Sequence, residues 1–274
     1  MRKNSIGDRM KAYERASELR LTRRLPMIIR LDGKAFHSWT RKTGCEKPFD
    51  HRLMDMMAEL TKYLCENIAG AVIGYTQSDE ISILVRDDQN LDTEAWFDKR
   101  LQKVVSLSAA LATYWFNANN VFEKKIPAFF DARAFILPEN DVVNYFIWRQ
   151  EDATTNSLSM LAQSLYPHDA LQRKKWAELQ EMCWQKGMNW NNLQTAEKRG
   201  VCVYRREVIV AGRQGDVKRM RFLVDREIPI FTTPEAAAFW QPIEMIRIEQ
   251  GDITKLAVDG IVNAANQVML GNAP

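Results

Sequence analysis

The stretch "AVIGYTQSDEISILV", residues 71–85, constrains the fold more than any other part of the chain. Its β-branched and apolar residues read as two strands joined by a tight turn at Gln77–Asp79. Two acids, Asp79 and Glu80, interrupt the run at that turn. An ionised carboxylate out of water is costly unless it is paired, hydrogen-bonded or metal-bound. The pair either decorates a solvent-exposed turn, where Asp is favoured, or serves a site. Spacing alone favours the exposed turn.

The surrounding pattern predicts an α+β plan. A helix is expected over 8–23 with Asp8 as its cap, and a strand over "PMIIRLDG" (26–33) with Pro26 at its start. Amphipathic periodicity predicts a helix over 50–68, and 92–119 reads as a long helix that is apolar in its second half. "PAFFDARAFILP" (127–138) is a strand between prolines, followed by helices near 141–165 and 168–186. Residues 203–210 and 220–231 read as a hairpin around the Gly212–Gly215 loop, and 232–242 as a linker. Strands 26–33 and 71–85 are expected side by side in an antiparallel or mixed sheet backed by two helices. Three regions follow: 1–138, 139–240, and 241–274, whose character differs.

Composition narrows the function classes. With 274 residues, 46% of them hydrophobic and 27% charged, the chain suits one large domain or two smaller ones. The net charge of +3 permits a polyanionic partner without demanding one. Basic residues cluster at 20–24, 172–176, 197–200, 204–207 and 217–221. Each cluster alone reads as a solvated face, whereas several on one face would mark a phosphate-binding surface. The four cysteines form no CxxC pair and there are only three histidines, so zinc-ligand spacing is absent and reduced thiols are expected. No signal core and no run of some 18 apolar residues is present. The expected setting is the cytoplasm, away from membranes.

Asp32 ends the first strand, directly before Gly33. If the strands neighbour each other, Asp32 and Asp79 meet at one end of the sheet with Glu80 beside them. Adjacent carboxylates repel unless a cation neutralises them. Mg²⁺ takes oxygen ligands, usually one or two carboxylates plus substrate phosphates, and two such ions can clamp a phosphoryl transfer. In "GKAFHSW" (33–39), Gly33 lets the backbone turn and successive N–H groups could cradle a triphosphate, without P-loop spacing. His37 could touch a base or phosphate, or pack between Phe36 and Trp39. Lys47 could neutralise phosphate charge, or be an ordinary loop lysine.

Taken together, "GDRMKAYE", "RLDGKAFHSWTRKTGCEKPFD", "GYTQSDEISIL", "FDARAF", "NYFIWRQEDATTNSLSMLAQS" and "NWNNLQTAEKRGVCVYR" resemble the tRNA(His) guanylyltransferase superfamily. The likeness is strongest to its bacterial and archaeal guanylyltransferase-like branch of 3′-to-5′ polymerases, over residues 4 to 232. The resemblance implies a polymerase- and cyclase-like palm. It implies activation of a tRNA 5′-monophosphate by ATP or GTP, then attack by the 3′-hydroxyl of a nucleoside triphosphate. Asp32, Asp79 and the Gly33 carbonyl would hold metal, with two Mg²⁺ ions, and Glu80 is the adjacent acid. Backbone groups of Gly33, Lys34, Ala35 and Phe36, with His37, would hold nucleotide. Lys47 and Ser78 match positions tied to triphosphate handling and activation. Arg30, Arg133, Arg149 and Asn156 match positions meeting nucleotide or tRNA, and Lys198 and Arg199 a basic strip on the tRNA side. A homo-oligomer, tetrameric in the family, is also implied.

One departure bears on the substrate. Eukaryotic members carry "HINNLYNT" where this chain has "TTNSLSML" (154–161); Thr154 replaces the histidine, and Asn156 and Leu158 remain. Templated repair of 5′-truncated tRNA is therefore expected over non-templated G₋₁ addition to tRNA(His). A tRNA-end binding module without turnover and a nucleotide cyclase-like enzyme are the competing readings. The tail "QGDITKLAVDGIVNAANQVMLG" (250–271) resembles the start of a macro domain, in which Asp252, Asn263 and Asn266 would meet ADP-ribose. About thirty residues cannot bury that fold's sheet. The tail is expected to be a truncated stub without ADP-ribose activity, the alternative being a C-terminal strand and helix of the first domain.

Overall fold

The computed structural model describes residues 5–90, 92–212 and 215–240. The macro-like tail and its Asp252, Asn263 and Asn266 lie outside the described residues. In chain order the elements are α1 (Ile6–Ala16), β1 (Met27–Gly33), α2 (Phe36–Thr43), α3 (His51–Asn67), β2 (Ala71–Gln77), β3 (Glu80–Val85), α4 (Leu101–Ala118) and β4 (Phe130–Ile136). They continue as α5 (Val142–Leu165), α6 (His168–Leu171), α7 (Trp176–Gln185), α8 (Thr195–Arg199), β5 (Val201–Gly212), β6 (Gly215–Asp225) and α9 (Glu235–Trp240).

The strands form one sheet in the order β4-β1-β3-β2-β5-β6, with every pairing antiparallel. The expected α+β class holds, and β1 and the 71–85 hairpin are neighbours. β1, α3, β2, β3, α4 and β4 follow a split βαβ plan, in which α3 carries the chain across β3. Side chains alternate across a strand, so the two faces carry different residues. Met27, Ile29 and Leu31 join Ile81, Ile83 and Val85, and pack with buried residues of α3 and α4 into the larger core. Ile28, Leu84, Ile73 and Tyr75 face the other way and pack with Tyr145 and Phe146 of α5 and Ala236 and Trp240 of α9.

Local expectations fail where distant partners intervene. α1 begins at Ile6, because Ser5 and Asp8 form a reciprocal capping box; Asp8 is inside the first turn, not the cap. The helix stops at Ala16 rather than 23, since Leu19 and Leu21 bond instead to Leu101 and Lys99. α4 starts at Leu101 rather than 92, because Phe97, Asp98 and Lys99 all have positive φ. The buried Lys99 ammonium there donates to Asp87 at 2.8 Å and to the Thr22 and Leu25 carbonyls. The 168–186 helix is broken at Arg173, φ 59°. β6 ends at Asp225, and 226–231 turns back so that Ile228 and Phe231 are buried and Gln150 bonds the Pro229 and Phe231 backbone. The expected linker contains α9, whose Ala236 and Trp240 are buried.

Candidate active site at the end of the sheet

Pairing register builds the acidic cluster. Asp32 at the end of β1 stands opposite Glu80 on β3 and opposite Asp131 on β4. Directly opposed residues share a face, so three carboxylates lie in a row across three strands. Asp79 precedes Glu80 in the turn, and the Gly33 N–H donates to the Asp79 carbonyl at 3.1 Å, tying the two loops together. Glycine is required at 33 by packing. A Cβ there would come within 2.3 Å of the Phe36 ring, which is buried against Trp39, Phe116 and Phe130.

The cluster carries an electrostatic cost. Burial, then the neighbouring Asp32, pushes Asp79 up to about 6, against a hydrogen bond from Ser78 Oγ at 3.0 Å. Burial and Asp131 raise Asp32, opposed by Arg133 and Arg30. Burial also raises Glu80, opposed by Arg149. The expected turn decoration is thus overruled: these carboxylates are crowded together and partly buried. A divalent cation would remove the repulsion. Asp32 and Asp79 are hard oxygen donors, and no group of three or more His, Cys, Asp or Glu that could hold a metal occurs among the described residues. That donor set fits an ion sharing its coordination with phosphate oxygens better than a closed protein cage.

Beside the turn opens a cleft of about 490 Å³, lined by His37, Lys47, Ser78, Asp79 and Asn156 among others. Its volume suits a small-molecule ligand of nucleotide size. His37 is exposed rather than packed. Of the backbone donors expected to hold phosphate, Gly33 N–H is spent on Asp79 and Lys34 N–H donates to the Phe129 carbonyl at 2.8 Å. The N–H groups of Phe36 and His37 open α2 and lack intrahelical acceptors there. Ser78, at φ 51°, and Lys34 and Lys47 are exposed.

The expected nucleic-acid residues divide. Arg30 and the exposed Arg133 stand opposite each other on β1 and β4, on the carboxylate face. Arg149 does not reach the surface: it is 5% exposed, and its Nη1 lies 2.9 Å from Glu80 and 3.4 Å from Asp152. Asn156 lines the cleft and donates to Asp152 at 3.2 Å. Lys198 and Arg199, on α8, instead line a separate cavity of about 600 Å³ with Thr154, Trp176 and Trp190. Asp131, in the carboxylate row, and Trp148, whose ring centroid lies 5.9 Å from the Arg30 guanidinium, were both passed over in the sequence. Asp131 was legible, since "FDARAF" places it two residues from Arg133 and hence on the same strand face. Nothing local singles out Trp148.

Among the described residues, no helix is long and apolar enough to cross a membrane. Cys65, Cys183 and Cys202 are buried and Cys45 half-buried, all as free thiols.

The family model for tRNAHis guanylyltransferase (Thg1) matches residues 7–138. A probable tRNA(His) guanylyltransferase of Mus musculus is 33% identical over 54% of this chain and 53% of that protein. The chain spans about half the length of the first curated relatives it matches. The tRNA(His) guanylyltransferase of Eremothecium gossypii is 30% identical over 67% of this chain and 84% of that protein. A solved bacterial tRNA(His) guanylyltransferase-like protein in complex with ATP superposes with a TM-score of 0.75 at 43% identity, covering 85% of this chain and 97% of that one. A second such structure, in complex with GTP, gives 0.69 at 41% identity over 85% and 96%.

Proposed function

This chain belongs to the tRNA(His) guanylyltransferase family, and from that premise we propose that it is a nucleotidyltransferase acting at the 5′ end of tRNA. The observation that carries the proposal is the crowding of Asp32 against Asp79, which lines a nucleotide-sized cleft. The reaction has two steps. A tRNA 5′-monophosphate attacks the α-phosphate of ATP, releasing pyrophosphate and leaving an adenylylated end. The 3′-hydroxyl of a second nucleoside triphosphate then attacks that 5′-phosphorus and AMP departs, so the added nucleotide keeps its triphosphate.

Asp32, Asp79 and the Gly33 carbonyl would hold Mg²⁺, which when bound offsets the charge of the triphosphate and polarises the reacting phosphorus. The residues of the chain do the rest. Phe36 and His37 N–H groups, with the His37 and Lys47 side chains, hold phosphate or base, and Ser78 fixes Asp79 by its hydrogen bond. Arg149 holds the Glu80 side chain in place beside them by an ion pair at 2.9 Å. The palm-like sheet, a tetrameric assembly and the macro-domain likeness of 250–271 belong to the same proposal.

Two substrate choices compete. Thr154 in place of the family's histidine favours templated repair of truncated tRNA. The names of the relatives favour G₋₁ addition to tRNA(His). The experiment offers the protein, with Mg²⁺, ATP and labelled GTP, either full-length tRNA(His) or a tRNA lacking its first 5′ nucleotide, each with a 5′-monophosphate. Label on the truncated RNA that follows the opposing base supports repair, and label on full-length tRNA(His) alone supports G₋₁ addition. Binding of tRNA without label would replace the enzyme reading with a binding module, and products formed without RNA would point to a cyclase-like activity.

A further inference from the structure

Trp148 lies in the first half of α5 and is 51% exposed, although its neighbours Tyr145, Phe146 and Arg149 are buried. Single exposed apolar residues are ordinary; this one is clamped. The Arg149 guanidinium lies 3.6 Å from its ring centroid, the Tyr145 ring packs edge-on at 5.8 Å, and Arg30 approaches to 5.9 Å. Arg149 is fixed in turn by Glu80, and Tyr145 by Ser82 at 2.8 Å. The indole is thus held rigid on the open sheet face, beside the strand that carries Asp32.

Arg30 and Asp32 are two residues apart on β1 and share that face. The nucleotide-sized cleft is lined by Asp79, and neither Trp148 nor Arg30 lines it. A base stacked on Trp148 is therefore not that of the nucleotide in the cleft. Arg30 stands next to the indole and opposite Arg133 on β4; Arg30 forms no salt bridge among the described residues, and the exposed Arg133 lies 3.7 Å from the exposed Asp131. An aromatic platform next to solvent-accessible cations is the arrangement that holds a nucleic-acid end, the ring taking the base and the cations the phosphates.

We infer that Trp148 is the stacking platform for the base of the 5′-terminal nucleotide of the acceptor RNA, with Arg30 and Arg133 on its phosphates. The inference rests on the proposed reaction at RNA 5′ ends and names a residue that positions that RNA. Stacking orients the terminal base so that its 5′-phosphate faces Asp32 and Asp79, between the sheet face and the cleft.

The test compares two 5′-monophosphorylated truncated tRNAs, one natural and one abasic at the 5′-terminal nucleotide, with wild type, Trp148→Ala and Trp148→Phe. Base–aromatic stacking corresponds to about 5- to 150-fold. Wild type should prefer the natural RNA in kcat/KM by a factor in that range. Trp148→Ala should bring the ratio close to one, Trp148→Phe should fall between, and KM for GTP should not move. In parallel, 2-aminopurine at the 5′-terminal position should be quenched on binding to wild type and not to Trp148→Ala, a readout that needs no turnover. A ratio unchanged in Trp148→Ala overturns the inference, including the case where activity falls equally on both RNAs, because that is a structural loss through Arg149. A rise in KM for GTP with the ratio intact also overturns it. If Trp148→Ala does not fold, Trp148→Phe and the quenching on wild type decide. Wild type that binds and quenches the RNA without adding nucleotide refutes the proposed reaction and leaves the platform standing.

Discussion

Along β1, Met27, Ile29 and Leu31 point into the core under α3 and α4, whereas Ile28, Arg30 and Asp32 point to the opposite face. The first face is sealed by helices and is wholly apolar in these strands. The second is covered by α5 only in part, and towards β4 it carries Asp32, Asp131, Arg30 and Arg133 side by side. One strand thus serves stability with its odd-numbered residues and chemistry with its even-numbered ones near the carboxyl end. Charges are tolerated on the second face because α5 leaves it accessible to water and ligand, and because Arg149 neutralises Glu80 where α5 does cover it.

Substitutions on the two faces should therefore separate activity from stability. The largest effect is expected from Asp79→Ala or Asp32→Ala: nucleotide addition should fall on the order of a thousandfold, as when a charge-stabilising group is removed from a site. The far-ultraviolet circular dichroism and the melting temperature should stay near wild type, and near-normal addition by either variant would remove the metal assignment. Arg149→Ala leaves Glu80 buried and uncompensated and should cost about 3–5 kcal/mol in denaturant unfolding. Adding Glu80→Gln to it should recover part of that loss, and additive losses would show that the pair is not coupled. Ile29→Ala, on the sealed face, should cost about 2–5 kcal/mol while the folded fraction keeps its turnover. Gly74→Ala would place a Cβ 2.5 Å from Thr61 Cγ2 and 2.8 Å from Cys65 Sγ, and should cost about 1–3 kcal/mol through overpacking.

The smallest expected effect sharpens the electrostatic half of the comparison. Asp79 titrates near 6 because burial and Asp32 disfavour its charge. Its folded value is raised, so its contribution to stability is fully present below the ordinary carboxylate value near 3.8 and is lost as pH rises through about 6. Metal-free protein in a chelator should lose roughly 1–2 kcal/mol between pH 4 and pH 7, after discounting for partial exposure. Asp79→Asn should flatten that profile. A stability that rises with pH over this window, or a profile unchanged in Asp79→Asn, would contradict the crowding described here.

The carboxylates at the strand ends were legible because they break a period-2 apolar pattern, a signal contained in a dozen consecutive residues. Helix α3 and the 71–85 hairpin were legible for the same reason, with Asp50 and the Gln77–Asp79 turn marking their ends. The α4 start, the break at Arg173 and helix α9 were not. At Lys99 a buried ammonium bonds to groups from the 22–25 and 87 region, and no local periodicity encodes a partner that far away. Arg149 shows the limit most clearly. Its motif placed it among residues meeting nucleotide or RNA, but the face of α5 that it occupies is turned inward onto Glu80.

The sequence by itself determined the alternation of strands and helices, the α+β class and the two acids Asp32 and Asp79, because side-chain period and turn chemistry act over a few residues. Only the tertiary structure decided that β3 lies between β1 and β2, that Asp131 faces Asp32, and that Trp148 packs against Arg149 and within 5.9 Å of Arg30. These depend on strand register and on which helix face is buried. A shift of one residue in register would move every side chain of a strand to the other face, and that choice is made by packing across the whole sheet rather than within any one segment.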